Sequence, residues 1–176
     1  MKENCITSWA AVEERIKVFK AGCRQAGMKI TPQRTAIYTE LIKTQSHPTA
    51  DTLYKRVKKR YSNISLDTVN RTLISLAKCG LAFIVEGTGQ PKRYDGGGEN
   101  HQHFLCVKCK RIVDFYHKPF ENIKLPPRIE NRFKVLRKTV YIEGFCDKCT
   151  RKKNWNDELR INNDWRNNSN QKKAKR

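Results

Sequence analysis

Between positions 9 and 26 apolar residues fall at Trp9, Val12, Ile16, Phe19, Cys23 and Ala26. These steps of three and four predict an amphipathic helix closed by Gly27. Thr31-Pro32-Gln33-Arg34 then reads as an N-cap followed by proline at the first helical position. The helix it opens carries Ala36, Ile37, Leu41 and Ile42 and stops before His47-Pro48. Thr49 caps a third helix through Leu53, Val57 and Tyr61, with Asp51 in its first turn favoured by the helix dipole. Ser65 caps a fourth over 66–79, whose inward stripe is Val69, Leu73 and Leu76, and Gly80 fits the position just past its end.

The period then changes. Leu81-Ala82-Phe83-Ile84-Val85 is a β-rich run, Gly87 to Pro91 forms a turn, and Lys92-Arg93-Tyr94 returns as a second strand. Helices followed by a hairpin with a basic tip outline a winged helix-turn-helix, in which the last helix enters the DNA major groove and the hairpin touches the backbone. Gly96-Gly97-Gly98 reads as a flexible joint. Beyond it, two strands around His103–Cys106 and Ile112–Phe115 flank a Cys106-x-x-Cys109 knuckle. An irregular helical stretch starts at Pro119 and is interrupted by Pro126-Pro127, and a further strand is expected over 135–142.

The expectation is therefore an α+β chain. It comprises an N-terminal winged helix-turn-helix domain over 1–94, a hinge over 95–100, a small α/β dimerisation domain over 101–152, and a tail over 153–176. About 50 residues make a meagre core, so the second domain calls for a structural metal and for dimerisation. The tail is rich in Asn, Lys and Arg and is expected to be disordered, although Trp155 and Trp165 offer docking groups.

Charge adds a partner. Lys and Arg outnumber Asp and Glu by 37 to 17, for a net charge of +20. The excess is spread: 17 against 8 through position 95, 11 against 6 over 96–150, and 9 against 3 thereafter. Lys55, Arg56, Lys58, Lys59 and Arg60 concentrate it on one helix face. A nucleic acid is the natural polyanion, since no amphipathic membrane anchor is evident. Without a membrane-length apolar run or an apolar signal core, a cytoplasmic location is expected.

Of seven cysteines, Cys106, Cys109, Cys146 and Cys149 form two C-x-x-C pairs separated by 36 residues. In a reducing compartment that spacing points to one tetrahedral zinc with no open position, which holds shape and catalyses nothing. Cys23 and Cys79 fit apolar helix faces, and Cys5 is expected to be exposed. A harder donor set lies alongside. His101 and His103, two apart in a strand, would share a face; Asp114 on the neighbouring strand could reach it, and Asp95 stands on the hinge. Imidazole and carboxylate together suit an open, exchangeable or redox-active metal. His47, before a proline at a helix boundary, would by itself be an ordinary turn residue.

His47-Pro48-Thr49-Ala50-Asp51, Thr68-Val69-x-Arg71-Thr72-Leu73, His101-x-His103-x-x-Cys106-x-x-Cys109 and Cys146-x-x-Cys149 together resemble the Fur family of metal-dependent transcriptional repressors. The likeness runs from about position 21 to 152 and is strongest to the peroxide-sensing PerR subgroup. It implies a regulatory Fe(II) or Mn(II) site made of His47, Asp95, His101, His103 and Asp114, with Zn(II) on the cysteines. Asp at 114, where iron-sensing members carry Glu, is what points to peroxide. A further metal site of the family lacks its Asp, replaced by Gln102, and has Lys138 where a His is expected.

The resemblance further implies a homodimer on a palindromic DNA operator. Metal held by all five ligands would clamp the two domains in a DNA-ready arrangement. Peroxide reacting at Fe(II) would convert His47 or His101 to 2-oxo-histidine and release the DNA. Base and backbone contacts are expected from Ser65, Thr68, Asn70 and Arg71 on the fourth helix and from Lys92 and Arg93 on the wing. Asn70 stands where relatives commonly have Tyr, which alters the expected target sequence. The alternative is an iron- or zinc-responsive uptake regulator on the same scaffold. A metal-dependent hydrolase lacks a general-base motif and would leave the helix-turn-helix and wing unexplained, so no enzyme activity is expected; against an RNA-binding zinc ribbon, suggested by charge and the Cys pairs alone, a preference for a palindromic duplex over single strands would decide.

Overall fold

The computed structural model describes residues 9–44, 46–85, 91–97, 101–135 and 138–151. Its first half consists of four helices, α1 (Trp9–Gln25), α2 (Pro32–Ile42), α3 (Ala50–Lys58) and α4 (Leu66–Lys78), closed by a two-stranded antiparallel ribbon of β1 (Phe83–Ile84) and β2 (Tyr94–Asp95). Three of the helices start at the expected hydroxyls. Thr31, Thr49 and Ser65 each accept a hydrogen bond from the backbone N–H three residues on. Such a cap contributes about 1 kcal/mol and sets the register of the apolar stripe behind it.

Those stripes meet in one core. Phe19 and Cys23 of α1, Ile37 and Leu41 of α2, Leu53 of α3, and Val69, Leu73 and Leu76 of α4 are fully enclosed. Phe19 stacks on Tyr38 with ring centroids 4.6 Å apart. The α1 stripe is shorter than its periodicity suggests, because Trp9 is 72% exposed and Ala26 lies on the surface beyond the helix end. The β-rich run 81–85 pairs over only two residues, while Leu81, Ala82 and Val85 are buried.

The second half is a three-stranded sheet of β4 (Ile112–Phe115), β3 (Gln102–Cys106) and β5 (Tyr141–Gly144), with β3 in the centre, antiparallel to β4 and parallel to β5. Two short helices, α5 (Pro127–Glu130) and α6 (Asp147–Thr150), accompany it. Two expectations are corrected here. The strand expected over 135–142 begins only at Tyr141 and continues to Gly144, because its pairing is set by the β3 edge and not by local apolar residues. Pro126-Pro127 does not interrupt a helix but opens α5, with Pro127 in its first turn.

The glycine joint is partly pinned. A side chain at Gly96 would meet Ile42 at 2.9 Å, and Arg15 donates a short hydrogen bond to the Gly96 carbonyl. Gly97 takes φ +68°, and its N–H donates to Asp95 Oδ1 at 3.1 Å. The turn at 86–90, Gly98, Cys5 and the basic tail with Trp155 and Trp165 lie outside the described residues.

Candidate metal centres

The four cysteines come together at one end of the sheet. Cys106 ends β3, and Cys109 lies in a tight turn that closes at Lys110, which has φ +58° and donates its N–H to the Cys106 carbonyl. Cys146 caps α6 and Cys149 lies within it. Their sulfurs are mutually within 4.8 Å, and Cys109 Sγ is 3.7 Å from Cys146 Sγ. A tetrahedral zinc with Zn–S of about 2.3 Å requires sulfurs about 3.8 Å apart, so the cluster has the size that the ion demands.

The titration pattern fits as well. Burial opposes ionisation of Cys106, yet backbone amides of Cys109, Cys146 and Lys108 outweigh it and lower its thiol to about 6. Cys149, enclosed and facing the other sulfurs, is pushed up to about 12. A second thiolate beside the first is costly without a cation, and Zn(II) is the cation that four soft donors select. These four cysteines are the residues that would hold a structural zinc.

The hard donors converge separately. β2 ends in Asp95, β3 carries His103 with His101 just before it, and the register places Asp114 of β4 directly opposite His103. His47 arrives from the loop between α2 and α3, with its side chain 3% exposed. Ligand atoms of His47, Asp95, His101 and His103 all lie within 4.8 Å of one another. Asp114 joins through Oδ1, 3.1 Å from His47 Nε2 and 3.6 Å from His103 Nε2. His101 Nε2 is 3.1 Å from both Asp95 Oδ2 and His103 Nε2. Bonds of about 2.1 Å to one metal would hold neighbouring donors about 3.0 to 3.4 Å apart; the His47–Asp114 and His101–Asp95 pairs, both at 3.1 Å, have that spacing, while His103 stands 3.6 Å from Asp114 and 3.8 Å from Asp95.

Electrostatics prepare these groups as ligands. Burial alone would raise the Asp95 pKa, but the hydrogen bond from His101 and the charges of His101, His47 and His103 outweigh it and keep the carboxyl ionised. Burial, followed by the neighbouring His47 and His101, lowers His103 to about 4 against the pull of Asp114 and Asp95, so the ring is neutral at physiological pH. His47 Nδ1 is buried without a hydrogen-bond partner. The donors fit a regulatory metal of the Fe(II), Mn(II) or Zn(II) type.

The expected DNA-facing residues are placed as follows. Ser65 and Thr68 pair at the exposed N-terminus of α4 with hydroxyls 2.9 Å apart. Arg71 extends into solvent 3.8 Å from Asp67, a weak surface pair that leaves it free to contact other groups. Asn70 and Lys92 both line a groove bordered by α4, the wing and the start of α3, with Leu66 and Ile74 also in its wall. Exposed Leu66 and Ile74 were not singled out from the sequence; their signal is a pair of α4 positions outside the buried stripe. Arg93 lies against the loop before α3, where its Nε and Nη2 donate to the carbonyls of His47 and Ser46 at 2.8 and 2.7 Å.

Residues 25–143 match the model of the "Ferric uptake regulator family". The peroxide-responsive repressor PerR of Staphylococcus epidermidis is 32% identical over 139 residues, 79% of this chain and 93% of that protein. The ferric uptake regulator Fur of Helicobacter pylori, described as having three functional metal-binding sites, superposes with a TM-score of 0.64 at 20% identity over 81% of this chain and 95% of the other. A zinc uptake regulator complexed with zinc and DNA superposes with a TM-score of 0.58 at 19% identity, covering 79% and 95%. The match over residues 25–143 and the 32% identity to a curated relative place the chain plainly: it belongs to the ferric uptake regulator family, whose members are metal-responsive transcription regulators.

Proposed function

We propose that this chain is a homodimeric repressor that senses hydrogen peroxide through the His47–Asp95–His101–His103–Asp114 centre and then releases a palindromic operator. The observation that carries the reading is the span of that centre. His47 comes from the helical half and His103 and Asp114 from the sheet, yet His47 Nε2 lies 3.1 Å from Asp114 Oδ1. Ligands that span both halves bias their relative orientation, which is the bistable element a switch needs. On this reading the division of the chain is 1–94, a hinge at 95–100, and 101–152.

Fe(II), when bound, would supply the electrons that cleave the O–O bond of peroxide beside His47 and His101. The chain contributes the rest. Asp95 and Asp114 provide the negative charge that holds a divalent cation. His103 stays neutral and donor-ready. Oxygen insertion into the His47 or His101 ring weakens that ring as a donor, loosens the tie between the two halves and misaligns α4. The 32% identity to a peroxide-responsive repressor supports peroxide as the signal over iron or zinc supply.

On the DNA side, Asn70 of α4 has the amide geometry to read adenine, and Ser65, Thr68, Arg71 and Lys92 supply polar and cationic contacts. The zinc uptake regulator of the same fold, complexed with DNA, supports this use of the scaffold. Tyr116, Ile129, Phe133 and Val135 are exposed apolar side chains of the sheet half, available for contact with its twin. Fluorescence anisotropy of labelled promoter duplex tests the proposal. Mn(II)-loaded protein should hold DNA before and after peroxide, and Fe(II)-loaded protein should lose it. Equal peroxide resistance of both forms would favour a metal-supply regulator instead.

A further inference from the structure

We propose that Arg93 is the positioning residue of the His/Asp centre, fixing the backbone of His47 and thereby joining the wing to the metal ligands, and that it is not a DNA phosphate contact. The inference rests on the metal-centre reading above. His47 stands at φ +48°, in the left-handed region that residues other than Gly, Asn and Asp seldom visit. It also precedes Pro48, a position that sterics normally push to extended backbone. Such a conformation persists only where the surroundings over-determine it.

The wing provides that restraint. Arg93 Nε and Nη2 donate to the successive carbonyls of His47 and Ser46, a match for the parallel donors of a guanidinium. Beside them Tyr94 N–H donates to the Pro48 carbonyl at 3.0 Å, and Arg93 bridges Thr49 as an isolated antiparallel pair. The residue after this stitch is Asp95, itself a ligand candidate. Both donors of the helical half therefore hang on one short strand, and Arg93 is the side chain that ties them. Without it His47 relaxes towards extended backbone and its ring leaves the cluster. By the reciprocity of linked equilibria, metal on His47 stiffens the wing to the same extent that the wing favours metal.

The test uses the full-length, zinc-loaded chain. Mn(II) affinity of the second site is read from free Mn(II) by electron paramagnetic resonance. The slope of log K against log salt is read on mixed-sequence duplex DNA at saturating Mn(II). Arg93→Ala should bind Mn(II) about 10- to 100-fold more weakly, the range for lost support of a metal ligand, with the salt slope unchanged. Arg93→Lys, which can serve one carbonyl at a time, should fall between. Lys92→Ala is the counter-case: Mn(II) affinity as in the parent, with a slope shallower by about one contact.

Parent-like Mn(II) affinity in Arg93→Ala together with a shallower slope overturns the proposal and returns Arg93 to the DNA. Should the Ala variant not fold, Arg93→Lys decides on affinity, a loss supporting the proposal and parent-like binding overturning it. A parent protein that takes up no second Mn(II) removes the metal-centre reading itself, and that is seen before any variant is compared.

Discussion

Stripping zinc from the cysteine cluster should unfold the sheet half and spare the helical half. The enclosed cluster at the end of the sheet consists of Cys106, Cys146 and Cys149, with Phe104 and Phe145 only partly buried against it. Leu105 adds one enclosed side chain. The helical half, by contrast, buries a continuous core from Val12 to Tyr94. A structural zinc contributes about 10–16 kcal/mol in small sites of this kind. A whole domain is stable by about 5–15 kcal/mol, so removing the ion takes the sheet half past its midpoint. Cys149→Ser, or a strong chelator on the parent protein, supplies the perturbation. Hydrogen exchange read by amide should then show protection lost across β3, β4 and β5 and retained in α2 and α4. Sheet amides that stay protected after zinc is shown to be gone would refute the reasoning.

Leu73→Ala removes a fully enclosed side chain of α4 and should cost about 2–5 kcal/mol by urea denaturation, without altering the zinc stoichiometry. Asp114→Ala should weaken Mn(II) binding at the second site while leaving the thiolate site intact, because Asp114 touches His47 and His103 but no cysteine ligand; calorimetric titration measures it. For pH, His103 is lowered to about 4 in the fold from an ordinary 6.5. Between those values the unfolded chain binds the extra proton, so stability of the protein free of the second metal should be full above 6.5 and decline as pH falls towards 4. Denaturation midpoints that stay flat across that window would contradict the assigned environment of His103.

Much of this was legible because it is local. Thr31, Thr49 and Ser65 announce helix starts through cap chemistry that needs no tertiary partner. The stripe Val69, Leu73 and Leu76 follows from the helical period alone. His101, His103 and Asp114 were brought to one place by strand alternation and a short connection, which fix register over a few residues. What escaped notice depends on distant partners. Val135 belongs to an apolar run, but the free edge of β3 pairs with 141–144, leaving Val135 41% exposed. The left-handed turn at His47 and the engagement of Arg93 arise from contacts 46 and 47 residues apart in the chain. No local pattern encodes them.

Peroxide sensing by a ligand histidine is tested most directly by peptide mass spectrometry paired with DNA release. Fe(II)-loaded and Mn(II)-loaded protein would be treated with hydrogen peroxide on the same promoter duplex. One added oxygen is expected on the peptide holding His47 or the one holding His101, in the Fe(II) form alone, rising in step with the fraction of DNA released. Unmodified histidines with oxidised cysteines, or DNA held by protein whose histidine is already oxidised, would contradict it.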